Sequence, residues 1–155
     1  MEYQFWEFVL DIKFYKTLIL TIFFLSLQNI SFSKENFFNE GVKLFKEKKY
    51  DNAKFLLERS IVFDPKHANS YLYLAKIYKQ EEDRKNEEKN LKTTLLIDST
   101  NEEAILMLME IGLENSNYSE VRELSERFIK VCKNLCNENK KILEDLKNLE
   151  PKNES

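Results

Sequence analysis

A recurrence every 34 residues is the feature of this sequence that most constrains its fold. Phe37, Tyr71 and Ile105 stand one period apart, and small or apolar residues follow them at matching offsets. The aligned sets are Gly41, Ala75 and Met109; Leu57 and Leu91; Ile61, Leu95 and Ile129; and Phe63, Ile97 and Val131. A period of about 20 to 50 residues is typical of solenoids, in which each unit buries its apolar face against its neighbours. The sequence therefore predicts a stack of three similar units.

Composition indicates that these units are helical. The 155 residues include only 2 Gly and 2 Pro, which is too few for the turns of a β-sandwich or β-barrel. Apolar residues alternate with Lys and Glu, and 33% of the chain is charged, as expected for amphipathic helices. We therefore expect an all-α chain.

Within each unit, particular residue types follow one another at fixed offsets. Unit one reads Phe37-x2-Glu40-Gly41-x2-Leu44, then Tyr50, Ala53, Leu57 and Pro65; unit two reads Tyr71-x2-Leu74-Ala75-x2-Tyr78, then Leu91. This order resembles the tetratricopeptide repeat (TPR) family. Five positions depart from it: Glu87 stands where a small residue usually packs, Ser99 replaces Pro, and Met109, Gly112 and Ser125 stand at positions that the family usually fills otherwise. The resemblance implies a short right-handed superhelix of about three helix-turn-helix units plus a C-terminal capping helix.

The period also sets the predicted domain boundaries. The predicted segments are 1–33 (signal peptide or membrane anchor), 34–67, 68–101 and 102–133 (three repeats, together 34–133), 134–150 (capping helix) and 151–155 (disordered tail). The capping helix is predicted from an apolar stripe formed by Ile142, Leu143, Leu146 and Leu149. Ser99-x-x-Glu102 resembles a capping box at the start of the third unit.

The N-terminal segment predicts export. Thr17–Leu27 carries no charge and is preceded by Lys13 and Lys16. A helix of these eleven residues spans about 16 Å, whereas a bilayer core is about 30 Å thick, so the run has the length of a signal-peptide apolar region. Ser31 and Ser33 place small residues at positions −3 and −1, where signal peptidase prefers them, and so predict cleavage between Ser33 and Lys34.

Two alternatives stay open in this segment. Residues 5–32 are apolar enough for an uncleaved membrane anchor. The acidic residues Glu2, Glu7 and Asp11 stand where a signal peptide is usually positive, so we hypothesise that the biological start lies near Ile12. We expect an exported protein in the bacterial periplasm, or one anchored to the inner membrane, with membrane contact through this segment only.

Cys132 and Cys136 are the only cysteines. On one helix, residues four apart have Cα atoms about 6 Å apart, which is within disulfide range. In an oxidising compartment such a pair suggests a disulfide that joins the third repeat to the capping helix. Two free thiols are the alternative.

The sequence offers no constellation for catalysis. His67 is the single histidine and is expected in an exposed turn between units. Gly41 and Gly112 are the only glycines, so a phosphate-binding loop is excluded. A nucleophile with an adjacent base is not apparent, and we predict a protein that is not an enzyme and binds no cofactor or metal. The formal net charge of −3 and the absence of a basic block argue against nucleic-acid binding.

The TPR resemblance implies a concave groove lined by the first helix of each unit. The groove positions are Phe38, Asn39, Val42, Phe45, Leu72, Tyr73, Lys76, Lys79, Leu106, Met107, Glu110 and Leu113. Chaperone-binding members of the family hold a C-terminal carboxylate with Lys, Asn and Arg. The corresponding positions here are Phe38, Val42, Tyr73, Glu103 and Met107, so that clamp is missing. We predict a non-catalytic exported scaffold whose apolar and aromatic groove binds a protein or peptide partner. The alternatives are a membrane-anchored envelope assembly factor and an adaptor that self-associates through the same repeats.

Overall fold

The computed structural model describes Thr21 and residues 36–149, and residues 36–149 form helices joined by short connections. The helices are α1 (residues 36–46), α2 (Tyr50–Phe63), α3 (Ala68–Gln80), α4 (Arg84–Ile97), α5 (Glu102–Glu114), α6 (Tyr118–Val131) and α7 (Glu138–Leu149). Apart from Thr21, the predicted signal or anchor segment and its cleavage site at Ser33 and Lys34 lie outside the described residues. The predicted tail, 151–155, lies outside them as well.

The helices recur with the period of the sequence. The second helices of the three units begin at Tyr50, Arg84 and Tyr118, each 34 residues after the last. The first helices of units two and three begin at Ala68 and Glu102, again 34 residues apart. From α2 to α6 each helix packs against the next one along the chain, and α7 packs against both α5 and α6. In unit one, Gly41 of α1 lies against Leu57 of α2. The periodic apolar pattern therefore corresponds to a periodic stack of helices.

The turn inside each unit has the same backbone geometry. Lys48, Glu82 and Ser116 adopt positive φ angles of 58°, 58° and 57°. The amide that follows each of them donates to a carbonyl five residues back, as Lys49 N does to Leu44 O at 3.0 Å. This arrangement is the Schellman motif, which ends a helix with one left-handed residue. The motif reverses the chain within three residues and makes the two helices of a unit antiparallel.

Glycines allow close contact between the paired helices of units one and three. A Cβ on Gly41 would lie 3.0 Å from Leu57 Cγ, and a Cβ on Gly112 would lie 2.7 Å from Val121 Cγ2. Met109, which aligns with Gly41, is fully buried in the core. The close contact in unit three is therefore displaced by about one helical turn, from the position of Met109 to Gly112.

The buried side chains form two clusters that meet along α3. The smaller joins units one and two and consists of Ala53, Leu57, Leu74 and Ile77. The larger runs through units two and three and α7, and includes Ala75, Leu91, Ile105, Met109, Phe128 and Ile142. Leu74 and Ile77 of α3 belong to the smaller cluster, whereas Leu72 and Ala75 belong to the larger. The buried side chains of the core are therefore arranged in a row along the stack of helices.

The cap helix buries a narrower stripe than the sequence predicts. Ile142 and Leu146 are buried, and Asn139 joins them through a hydrogen bond from Ser125 Oγ to Asn139 Oδ1 of 3.0 Å. Leu143 and Leu149 are exposed. The capping-box prediction for Ser99 is also wrong, because α5 begins after Asn101, whose side chain accepts a hydrogen bond from Ala104 N at 3.0 Å.

Candidate functional site

The first helices of the three units line a groove on one side of the stack. Its central cavity of about 530 Å³ is lined by Phe45, Lys76, Lys79, Gln80, Glu103, Leu106, Met107, Glu110 and Leu135. Six of the sequence-predicted groove residues are among them: Phe45, Lys76, Lys79, Leu106, Met107 and Glu110. The structure therefore brings together side chains that are far apart in sequence and that the repeat places at equivalent positions.

The wall of the groove on the side of α1 is aromatic. Tyr73 is in edge-to-face contact with Phe45 at a centroid distance of 5.4 Å and with Phe38 at 5.7 Å. The Phe38 ring also meets the imidazole of His67 edge-on at 4.5 Å. All four rings are half-buried, as is Val42 nearby. Such interlocked rings are rigid and keep part of their apolar surface in solvent.

His67 was expected in an exposed turn, and the structure corrects this expectation. Its ring is half-buried, and Nδ1 lies 2.8 Å from Ser70 Oγ. Ser70 in turn donates to Ser60 Oγ of α2 at 3.0 Å. His67 therefore joins the groove wall to the packing between units one and two.

Ion pairs connect α3 to α5 across the groove. Lys76 Nζ lies 2.8 Å from Glu103 Oε2, and Lys79 Nζ lies 2.6 Å from Glu110 Oε2. The Lys76 ammonium also lies 4.5 Å from the centroid of the Tyr73 ring, in a cation–π contact. Each lysine is thus matched by a carboxylate within the groove, and these two lysines give it no surplus positive charge.

Several predicted groove residues are more buried than an exposed strip requires. Leu72 is only 4% exposed and packs in the larger core cluster, and Leu106 and Met107 are 8% and 7% exposed. Leu106 and Met107 are buried because α5 packs against α4, α6 and α7, so that only a small part of the α5 surface reaches the groove, and Leu72 is buried on α3, which packs against α2 and α4. Leu106 and Met107 form the floor of the groove, while Asn39 on α1 is exposed.

Residues of α7 and of the connection before it line cavities next to α5, although the repeat pattern does not predict them. A second cavity of about 160 Å³ is lined by Leu106, Glu110 and Leu113 of α5 and by Glu138, Lys141, Ile142 and Asp145 of α7. Leu135, from the connection between α6 and α7, lines the central cavity. The repeat alignment could not indicate these contributions, because they come from residues outside the 34-residue pattern.

The connection between α6 and α7 is closed by a disulfide. Cys132 and Cys136 are bonded, with an S–S distance of 2.20 Å and a Cα–Cα distance of 5.3 Å. The two residues are not on one helix, since Cys132 ends α6 with extended backbone angles. The carboxylate of Glu102 accepts hydrogen bonds from Asn134 N at 3.0 Å and from Leu135 N at 2.7 Å. These amides, the Leu135 amide most, lower the pKa of Glu102.

A buried carboxylate lies at the start of α4, the second helix of unit two. Glu87 is 1% exposed, and its Oε2 accepts a hydrogen bond of 2.7 Å from Arg84 Nη1. Its other oxygen, Oε1, has no hydrogen-bond partner. Arg84 also pairs with Glu114 at the end of α5. Burial raises the pKa of Glu87, and the positive charge of Arg84 opposes that shift.

Within residues 36–149, no group of three or more His, Cys, Asp or Glu side chains is arranged to hold a metal ion. In the same part of the chain, no helix has the length and apolar character needed to cross a membrane.

Comparison with known proteins identifies the fold. No protein-family model matches the sequence. No curated protein matches it either. Among solved structures, the second TPR domain of human RPAP3 in complex with an HSP70 peptide is 20% identical over 79% of this chain and 99% of its own, with a TM-score of 0.63. The Arabidopsis OM64 TPR domain is 17% identical over 75% of this chain and 95% of its own, with a TM-score of 0.66.

A bacterial structure is similar to the same degree. The Yersinia enterocolitica type III secretion chaperone SycD, in complex with a peptide of the translocator YopD, is 12% identical over 74% of this chain and 90% of its own, with a TM-score of 0.65. These similarities confirm the predicted fold class. The chain is an all-α helical solenoid with a TPR-like fold.

Proposed function

We propose that this protein is a non-catalytic TPR-type scaffold that binds a peptide segment of a partner protein in the groove formed by α1, α3 and α5. The observation that carries the proposal is the groove itself. An open cavity of about 530 Å³ is flanked by half-buried rings of Phe45 and Tyr73 and floored by Leu106 and Met107. Aromatic anchors beside an apolar floor are typical of interfaces that capture a helix or an extended peptide.

The similar structures support this proposal. The RPAP3 domain is in complex with an HSP70 peptide, and SycD is in complex with a translocator peptide. A peptide partner for the present chain agrees with the presence of bound peptides in these two structures of the same fold.

The charges of the groove favour one kind of peptide. Lys76 and Lys79 are already paired with Glu103 and Glu110, so a partner carboxylate would have to displace an existing ion pair. Apolar side chains, in contrast, would cover the exposed parts of the aromatic wall without breaking a pair. We therefore propose a partner segment that carries apolar or aromatic side chains and does not depend on a free C-terminal carboxylate.

Selection from a library of short random peptides tests the proposal. The full chain is immobilised and retained peptides are sequenced. Tyr73→Ala should weaken binding of the selected peptides by at least about tenfold, because it removes the ring that contacts both Phe38 and Phe45. Phe55→Ala is the control, since Phe55 is an exposed aromatic residue of α2 that does not line the groove.

The outcomes separate the alternatives. Selected peptides rich in apolar residues that are lost with Tyr73→Ala support the groove. Peptides that bind both variants equally would place binding elsewhere. Concentration-dependent mass in sedimentation experiments, abolished by Tyr73→Ala, would favour self-association through the groove.

We also propose that the protein is exported, with residues 1–33 either removed between Ser33 and Lys34 or retained as an anchor. The disulfide supports this proposal, because such bonds persist in oxidising compartments such as the bacterial periplasm. Cell fractionation with N-terminal sequencing is the test. A soluble chain that begins at Lys34 supports cleavage, a membrane-bound chain supports the anchor, and an uncleaved cytoplasmic chain refutes export. A precursor that begins at Met1 would refute the hypothesis of a start near Ile12.

A further inference from the structure

We propose that the Cys132–Cys136 disulfide regulates the groove by holding Leu135 in its wall, so that reduction of the bond weakens peptide binding. The proposal rests on the proposed function and adds a regulation of the same site. It starts from a contact that the repeat pattern does not provide. Leu135 comes from the connection between α6 and α7, yet it lines the central cavity together with Leu106 and Met107 of α5.

Besides its packing against the larger core cluster, Leu135 is held by two restraints on its connection, one covalent and one from α5. The disulfide joins Cys132 to Cys136 and so encloses Leu135 in a ring with only two other residues, Lys133 and Asn134. Glu102 forms the second restraint, because its carboxylate accepts hydrogen bonds from the amides of Asn134 and Leu135. Together they direct the connection toward the start of α5, which borders the groove.

The disulfide is the restraint that can be switched. Leu135 is only half-buried, so its apolar contacts alone hold it weakly. The hydrogen bond from Asn134 N to Glu102 is exposed and the one from Leu135 N is only partly buried, so water competes for these amides. When the ring is opened, the connection gains many conformations, and a ligand must then order it again on binding. The oxidised form is therefore the preorganised form of the groove.

The sulfur atoms are accessible for this chemistry. Cys136 is exposed and Cys132 is half-buried. A thiolate of dithiothreitol attacks the Cys136 sulfur, the S–S bond breaks, and Cys132 leaves as a thiolate that takes up a proton. The second dithiothreitol thiol then closes its own disulfide ring and releases Cys136 as a thiol, so two electrons and two protons pass from the reductant to the protein.

The test measures the affinity of the full chain for one peptide from the library selection, by fluorescence anisotropy, with and without dithiothreitol. We expect the reduced wild-type chain to bind about tenfold more weakly, which corresponds to ordering one side chain and its connection. The double variant Cys132→Ser, Cys136→Ser should bind weakly under both conditions. Leu135→Ala should weaken the oxidised chain by about the same factor, but should add little in the double-serine variant.

A second measurement follows the connection without a peptide. Hydrogen exchange of the Asn134 and Leu135 amides should become faster on reduction, while exchange in α5 stays slow. Equal affinity in both redox states, with binding still lost in Tyr73→Ala, would overturn the regulation and leave the proposed function in place. If no peptide binds the wild-type chain, the proposed function fails. Hydrogen exchange then still tests the disulfide, because rates at Asn134 and Leu135 that do not change on reduction would refute the positioning of Leu135 by this bond.

Discussion

The side chain of Glu87 lies inside the helix stack, although carboxylates are normally solvated. One of its oxygens is bonded to Arg84 and the other has no partner. The sequence indicates this position as unusual, because a small residue is expected there in a TPR-like repeat. It does not indicate how the charge is accommodated. Arg84 lies one turn earlier on the same helix and is also paired with Glu114 of the next unit, and only the stack brings Glu114 close.

Glu87→Gln should raise the free energy of unfolding at neutral pH by about 1 kcal/mol, because a neutral amide costs less to bury than a half-satisfied carboxylate. The pKa of Glu87 is raised in the folded state, so the folded chain binds the proton more tightly than the unfolded chain. The contribution of Glu87 to the free energy of unfolding therefore falls as the pH rises from the pKa of Glu in the unfolded chain, about 4.3, through the higher pKa of Glu87 in the folded chain.

Urea unfolding of both chains across the acidic and neutral range measures this effect. The advantage of the glutamine variant should shrink as the pH falls, since Glu87 is then protonated as well. Glu88→Gln is the control, because Glu88 pairs at the surface with Lys92 and should change stability little. A wild-type chain that is more stable than the Glu87→Gln variant at neutral pH would contradict the prediction.

At the scale of the elements, the sequence predicts the helices better than the connections between them. Apolar residues 34 apart become helix faces because helix packing demands a repeated apolar stripe. The turns at Lys48, Glu82 and Ser116 share a left-handed residue, but without glycine nothing in these three residue types reveals it. Likewise, Glu102 resembles part of a capping box, whereas its carboxylate binds amides of a distant connection. Such contacts arise from tertiary proximity.

Ser116→Gly should stabilise the protein by up to about 1 kcal/mol. A non-glycine residue in the left-handed region costs about 1–2 kcal/mol, and glycine removes this cost. Part of the gain in stability is offset by the greater conformational freedom of glycine in the unfolded chain. Thermal unfolding followed by circular dichroism is the measurement. Ser119→Gly, on the following helix, should instead destabilise, because glycine is unfavourable in helices. A loss of stability in Ser116→Gly would show that its side chain matters more than the backbone strain.

At the scale of the whole molecule, the groove and the core have different origins in the sequence. Much of the core could be predicted from the period, because buried Leu57, Leu72, Leu74 and Ile77 have buried counterparts at Leu91, Leu106, Leu108 and Ile111. The match fails at the second helix of unit three, where Ser125 takes the place of Leu91 and the counterpart of Leu95, Ile129, is exposed. The aromatic end of the groove follows from the TPR resemblance, which implies groove positions at Phe38 and Tyr73. The C-terminal end does not, since Leu135 and the α7 residues Lys141 and Asp145 occur once and belong to no repeat. A repeat alignment cannot predict the role of residues that have no counterpart in another unit, and their contacts become evident only in the folded structure.

The linear arrangement of the core predicts that damage at the C-terminal end stays local. Ile142 of α7 is buried in the larger cluster, whereas the smaller cluster around Leu57 is formed by α2 and α3. Ile142→Ala should therefore cost about 2–5 kcal/mol in the units that contact α7. Because a solenoid is stabilised by contacts between neighbours, hydrogen exchange should accelerate in α5, α6 and α7 and much less in α2.

Leu143→Ala, one residue away and partly exposed, is the control and should change exchange little. Uniform acceleration from α2 to α7 would mean that the stack unfolds as one cooperative unit, and that the two clusters are coupled through α3 more strongly than the row of contacts implies.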